Sequence, residues 1–79
     1  MKNKVELRIK NVMAAVFKTS VEQIQDDSSP ETIESWDSLG HMNLVVALEE
    51  EFVIEFKDDE IVEILTFSAI QNTVNKKLI

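Results

Sequence analysis

The chain of 79 residues contains no cysteine and has only one glycine, one proline and one histidine. Without cysteine it cannot form a disulfide framework, a thiolate metal site or a cysteine nucleophile. A single histidine among many carboxylates is a poor basis for a zinc site, because zinc favours several nitrogen or sulfur ligands. One glycine and one proline supply too few turns for a fold of many β-strands. These absences favour a mostly helical protein without a metal site.

Long apolar runs are also absent. No segment approaches the roughly 18 apolar residues of a membrane span, and Met1 to Glu6 lack the apolar block of a signal peptide. We therefore expect a cytoplasmic protein without membrane insertion. Residues 1–79 are too few for two hydrophobic cores, and their 44% apolar and 29% charged residues are typical of a single folded domain.

The charges are distributed unevenly along a chain whose formal net charge is −7. Residues 1–18 are net basic, whereas the fourteen acids of residues 19–75 are accompanied by one basic residue, Lys57. An acidic body repels the phosphates of nucleic acids and anionic lipids, so we expect no nucleic-acid partner. It would suit basic surfaces on partner proteins, although charge by itself favours a merely solvated surface.

Apolar residues at helical spacing predict a first helix from about Lys4 to Phe17. Asn3 and Glu6 resemble a capping box at its start. The residues of its predicted apolar face are Val5, Ile9, Val12 and Val16, with Met13 and Phe17 beside them. Residues 18–37 lose this periodicity and are rich in turn formers, which predicts a long loop with a helical turn near residues 20–24. A loop of this length in a small domain is often functional.

The second helix is predicted from Ser38 to about Phe52, with Asp37 as its N-cap. Its apolar residues cover half of the circumference or more, so we expect it at the centre of a bundle. These residues are Leu39, Met42, Leu44, Val45, Val46, Leu48 and Phe52. The narrow remaining face is expected in solvent and contains Gly40, Asn43, Ala47, Glu50 and Glu51.

The last third of the chain predicts an extended connection and two more helices. Residues 53–56 form the connection, with Ile54 and Phe56 inward, and the acids from Asp58 to Glu60 suit the first turn of a short third helix. Thr66 is the expected N-cap of a final helix. The predicted core residues of these two helices are Ile61, Ile64, Phe67, Ile70, Val74 and Leu78. The sequence thus predicts an all-α four-helix bundle with three main helices, a short third helix and a long first loop.

Ser38 is the foremost candidate for chemistry because it begins the second helix. Backbone N–H groups are unpaired at a helix N-terminus and the helix dipole favours an anion there, so a phosphate ester on Ser38 would be well placed. The simpler alternative is that Ser38 only helps Asp37 to cap the helix, and physics by itself favours that alternative.

The segment from Trp36 to Val45, which contains Asp37-Ser38-Leu39, resembles the signature of acyl carrier proteins. The stretch Ala47 to Phe52 also resembles the end of that family's second helix, and the order of elements agrees over nearly the whole chain. The resemblance implies that Ser38 carries 4′-phosphopantetheine from coenzyme A through a phosphodiester. The thiol of that arm would hold acyl groups as thioesters, and the chain itself would be a non-catalytic carrier.

The resemblance also implies partners for a monomeric carrier. A phosphopantetheinyl transferase would recognise Asp37 and Leu39 and modify Ser38. The other partners would be an acyl-loading ligase or acyltransferase and ketosynthase-type enzymes of fatty-acid, lipid or polyketide biosynthesis. In fatty-acid carriers the core can open to shelter an acyl chain. We expect docking residues on the second helix and at the start of the third, namely Met42, Glu49, Glu50, Glu51, Asp58 and Asp59.

Some positions depart from the pattern of fatty-acid carriers. Gly40 and Asn43 stand where many of them have acids, and Ser35-Trp36 replaces a glycine-containing approach. This version of the signature is more similar to carriers of specialised pathways, so an aminoacyl or D-alanyl carrier stays open as an alternative.

Other classes of function also stay open. The chain could be an acidic helical adaptor whose Ser38 is never modified. A hydrolase with Ser38 and His41 as nucleophile and base is a more distant alternative, because no glycine-rich oxyanion turn accompanies the pair. Trp36 could contact partner enzymes, but we prefer packing onto the helix as in a hydrophobic staple. The acids could bind divalent cations only loosely, since they lack the spacing of an EF-hand loop.

Overall fold

The computed structural model describes residues 2–78, and side chains from residue 4 onward. Within that range the regular structure is helical, with a 3-10 turn at Val21–Gln23 inside the first loop. The helices are α1 (Lys2–Phe17), α2 (Ser38–Phe52), α3 (Asp58–Glu63) and α4 (Phe67–Lys77). The predicted all-α bundle with a short third helix is therefore confirmed. The predicted cap at Asn3 falls outside the described side chains, and no helix in the described range is long and apolar enough to cross a membrane.

Helix α1 buries a row of residues that is slightly rotated from the predicted face. Ile9, Met13 and Phe17 are buried at four-residue spacing. The other predicted residues, Val5, Val12 and Val16, are only partly buried against this row. At the end of this row, the ring of Trp36 from the loop covers Phe17, with ring centroids 5.2 Å apart.

The long loop is held by hydrogen bonds to the end of α1 and to the start of α4. The Ser35 hydroxyl donates to the carbonyl of Phe17 at the end of α1, at 3.0 Å. The first N–H groups of α4 bond to loop carbonyls, from Phe67 to Ser28 and from Ser68 to Asp26, both at 3.1 Å. Because these groups would otherwise be unpaired at a helix terminus, the loop is an integral part of the fold.

Helix α2 has the predicted bounds, but its exposed and buried sides differ from the prediction. Three residues expected in the core are exposed: Leu39 at 73%, Met42 at 47% and Val46 at 50%. Gly40, expected in solvent, is buried. The loop folds back over the Gly40 side of the helix, where a Cβ would collide with the carbonyl oxygen of Ser35 and lie 3.3 Å from the Phe17 ring. Contact with the loop therefore decides which side of α2 is covered.

The segments after α2 follow the prediction except at the C-terminus. Phe56 in the extended connection is buried, and the Thr66 hydroxyl accepts from the Ala69 N–H at 3.0 Å as the predicted N-cap of α4. Ile64, Phe67, Ile70 and Val74 are fully buried. Leu78 is not a core residue, since it is 44% exposed beyond the end of α4 at Lys77.

Candidate functional site

Ser38 is exposed and is the first residue of α2. Asp37 is the N-cap, and its Oδ1 accepts from the Gly40 N–H at 2.8 Å. Its carbonyl accepts the first helical bond, from the N–H of His41, at 2.7 Å. Among the described side chains, no hydrogen bond involves the Ser38 hydroxyl. Because Asp37 supplies the cap, the hydroxyl is not needed for it and lies beside the positive end of a helix of 15 residues.

A groove of about 570 Å³ adjoins Ser38 between the loop, α2 and α3. Its lining is mostly apolar and consists of Pro30, Trp36, Asp37, Ser38, His41, Met42, Ile61, Val62 and Leu65. A second hollow, of about 540 Å³, lies at the end of α1, shares Asp37 with the groove and does not include Ser38. A substituent on the Ser38 oxygen therefore has apolar surface beside it on the α3 side.

The imidazole of His41 is held between the loop and α3. Its Nδ1 lies 2.9 Å from the indole Nε1 of Trp36, and its Nε2 lies 2.7 Å from the carbonyl oxygen of Ile61. An indole N–H only donates and a carbonyl only accepts, so the ring hydrogen is assigned to Nε2. Both nitrogens are thus occupied, and the geometry lacks the hydrogen bond from Ser38 to His41 that a hydrolase would need.

Trp36 is 1% exposed and stacks on Phe17. Trp36 also lies beside His41 in the first turn of α2, with ring centroids 6.2 Å apart, so the preferred interpretation, packing back onto the helix that it precedes, is confirmed. A direct contact of the indole with partner enzymes is excluded in this conformation by its burial.

An exposed apolar stripe runs along α2 from beside Ser38. It consists of Leu39, Met42 and Val46, and Val62 and Leu65 add exposed apolar surface across the groove, at 66% and 44% exposure. The sequence predicts Leu39 and Met42 of this stripe as recognition or docking residues, and the prediction does not include Val46. The signal that could have found it is the apolar arc of α2, which is wider than contact with the core requires.

The acids proposed for docking differ in what they contact. Glu50, Asp58 and Asp59 are exposed. Glu51 forms an ion pair with Arg8 at 2.8 Å, and that guanidinium also lies over the Phe52 ring, 4.4 Å from its centroid. Glu49 accepts from the backbone N–H of Phe56 at 2.9 Å. The carboxylates of Glu49 and Glu51 are therefore engaged within the chain.

Glu60 fixes the start of α3 and connects it to α4. Its Oε1 accepts from the N–H of Lys57 at 2.8 Å and lies 2.7 Å from the ammonium of Lys77. The Lys57 N–H, and after it the Lys77 side chain, hold the pKa of the Glu60 carboxyl below its usual value. Asp58 and Asp59 thus lie in the first turn of α3, which Glu60 joins to Lys57 and to α4.

No family model matches the chain. It is 33% identical over 75 residues to the acyl carrier protein of Buchnera aphidicola subsp. Schizaphis graminum (strain Sg), and the match covers 95% of each chain. It is 38% identical over 77 residues to the acyl carrier protein of Buchnera aphidicola subsp. Acyrthosiphon pisum (strain Tuc7), covering 98% of this chain and 95% of the relative. The protein of the same name from strain APS matches to the same extent.

Proposed function

Since this chain belongs to the acyl carrier protein family, we propose that Ser38 is the attachment site of 4′-phosphopantetheine. In this role the chain delivers acyl groups to enzymes of fatty-acid or specialised acyl biosynthesis in the cytoplasm and performs no catalysis itself. The group supplies a flexible arm whose thiol holds an acyl group as a thioester, which no side chain of this cysteine-free chain could do.

The observation that carries the proposal is the exposed Ser38 hydroxyl, which capping by Asp37 leaves available. The N–H groups of Ser38 and Leu39 come before the Gly40 N–H, which is the donor that Asp37 satisfies. Unpaired N–H groups at a helix start favour the negative charge of a phosphodiester attached to the serine oxygen. The groove beside Ser38 offers apolar walls to the part of the arm next to the phosphate. The residues present therefore fit the group.

We assign recognition by the phosphopantetheinyl transferase to Asp37 and to Leu39, whose side chain is 73% exposed. Loading ligases or acyltransferases and ketosynthase-type enzymes would dock along α2 and the start of α3. Met42 would contribute apolar contact, and Glu50, Asp58 and Asp59 would face basic patches on those enzymes. Glu49 and Glu51 are weaker docking candidates because their carboxylates already have partners within the chain.

The proposal is tested by incubating the unmodified chain with coenzyme A and several phosphopantetheinyl transferases and then measuring the intact mass. We expect one added phosphopantetheinyl group on the wild type and none on Ser38→Ala. Ser68→Ala is a matched control, because Ser68 is also an exposed serine in the first turn of a capped helix. Modification of Ser38→Ala would move the attachment site to another residue. No modification of the wild type by competent transferases would favour the unmodified adaptor.

A further inference from the structure

Helix α3 is short, and one carbonyl near its end lacks its helical partner. In a longer helix the Ile61 carbonyl would accept from the N–H of Leu65, but that N–H bonds to Glu63 at 2.9 Å. The carbonyl of Ile61 accepts instead from Nε2 of His41, at 2.7 Å. A side chain of α2 thus supplies the donor for this carbonyl of α3.

The other nitrogen of His41 accepts a hydrogen bond from the loop. Trp36 is 1% exposed, and its indole N–H donates to Nδ1 at 2.9 Å. A buried donor without a partner is costly, so Trp36 depends on this contact. One imidazole therefore joins three elements: the loop before Ser38, the first turn of α2, and α3.

This junction lies between the two exposed apolar regions of the proposed docking surface. His41 precedes the exposed Met42 on α2, and Ile61 precedes the exposed Val62 on α3. All four line the groove beside Ser38. A helix of six residues has little stability of its own, so the placement of α3 relative to α2 depends on tertiary contacts such as this one.

We propose that His41 is a positioning residue. By accepting from Trp36 and donating to Ile61, it fixes α3 against the Ser38 end of α2, so that the apolar residues of both helices meet the modifying enzyme in one geometry. The part played by that enzyme rests on the proposed function. The junction itself is a property of the unmodified chain and is measured on it directly.

The first measurement is amide hydrogen exchange by NMR on unmodified wild type, His41→Phe and His41→Gln. Phe fills the space of the ring without donating or accepting, whereas the Gln amide can do both. Loss of the junction should speed exchange at the N–H groups of Ile61 and Ile64 about tenfold relative to Ile70 in α4. Gln should restore much of the protection. Equal acceleration at all three amides, as from uniform destabilisation, would overturn the proposal.

The second measurement is the kinetics of Ser38 modification, with Ile70→Val as a control that weakens the core in α4. His41→Phe should raise the KM for the carrier about fivefold while kcat changes little, because docking and not chemistry is disturbed. The control and His41→Gln should stay near wild type. An unchanged KM for His41→Phe would overturn the docking role of the junction.

The outcomes separate this proposal from the proposed function. If the wild type is not modified at all, the proposed function and the docking role fail together, whereas the exchange experiment still decides the junction.

If His41→Phe does not fold, Trp36→Phe replaces it, since that variant keeps a ring on Phe17 and removes the donor to His41. The reporter is then the N–H of residue 36, which bonds to the Ile33 carbonyl at 3.0 Å. If its exchange speeds up from wild type more than that of Ile70, the junction is supported, and an equal increase at both amides would overturn it.

Discussion

The carbonyl oxygen of Ser35 occupies the space that a Cβ atom of Gly40 would need. The loop before Ser38 therefore lies directly on the first turn of α2, and only glycine permits this contact. An acid at this position, as in many fatty-acid carriers, does not fit with the loop placed as it is here. The contact keeps Trp36 buried and leaves Ser38 at the surface.

Gly40→Ala should destabilise the protein by about 1–3 kcal/mol, because the loop must move to admit the methyl group. The higher helix propensity of alanine offsets little of this loss, because the difference of about 1 kcal/mol between Ala and Gly applies to a helix interior and Gly40 lies in the first turn. Urea unfolding followed by circular dichroism measures the difference. Asn43→Ala, at an exposed position of the same helix, should change stability by no more than about 0.5 kcal/mol. A Gly40→Ala variant as stable as wild type would show that the loop adapts freely.

Asp37 has two roles that substitutions can separate. Asp37→Ala should cost about 1 kcal/mol of stability through loss of the N-cap, whereas Asp37→Asn should keep most of the cap. If the charge is what the transferase recognises, Asp37→Asn should still slow modification of Ser38. Thr66→Ala removes the cap of α4 at similar cost in stability and should leave the modification rate unchanged. A normal rate for Asp37→Asn would limit Asp37 to capping.

Glu60 should make the stability of the bundle dependent on pH at the acidic end. Its pKa is lowered from the ordinary value of 4.5 in the folded chain, first by the Lys57 N–H and then by Lys77. A lowered folded pKa stabilises the fold above pH 4.5, and this contribution is lost as the pH falls through the folded value. Urea unfolding at pH 6 and at pH 3, about 1.5 units either side of 4.5, measures the difference in free energy of unfolding between wild type and Glu60→Gln. This stability gap should be smaller at pH 3 than at pH 6.

The control for Glu60 is Glu63→Gln in the same helix, whose side chain is exposed. Its stability gap should vary less with pH than that of Glu60→Gln. Similar gaps for both variants at every pH would mean that the ion pair with Lys77 and the bond from Lys57 contribute nothing beyond the general acidic charge.

Glu50 tests whether the acids of α2 act as a docking face. Glu50→Lys should slow modification of Ser38, mainly at low salt, because exposed charges facing a basic patch speed association and salt screens them. Glu22→Lys makes the same change of charge on the 3-10 turn of the loop and should do much less. Glu6 is a poorer control, since its carboxylate pairs with Lys10 at 3.3 Å. If both charge reversals slow the modification of Ser38 equally, the acids act through a diffuse electrostatic field and do not form a docking face.

Leu39 tests the apolar stripe. Leu39→Gln should leave stability within about 0.5 kcal/mol of wild type, because the side chain is 73% exposed. It should nevertheless slow the transferase, since an exposed apolar side chain next to Ser38 is available for burial in the complex. Leu78→Gln makes the same change at an exposed position beyond α4 and should leave the rate unaltered. An unaffected rate for Leu39→Gln would remove Leu39 from the recognition surface.

Signals local to the chain were enough to predict the helices and the caps of α2 and α4. The bounds of α2, the Asp37 cap and the Thr66 cap follow from apolar spacing and from polar residues placed just before it, and the structure confirms them. Ser38 was proposed as the attachment site in the same way, because its position at a helix start and its neighbours Asp37 and Leu39 are visible in the sequence. Such features depend on contacts within a few residues, which the sequence itself specifies.

Which side of α2 is covered was decided only by the tertiary structure. Periodicity defined a wide apolar arc but could not tell that Gly40 lies under the loop while Leu39 and Val46 stay exposed. The bond from His41 to Ile61 was equally hidden, because it joins residues 20 positions apart through a carbonyl that any residue type would supply. The amino-acid pattern determines what a helix face can bury, whereas the path of the connecting loop determines what it does bury.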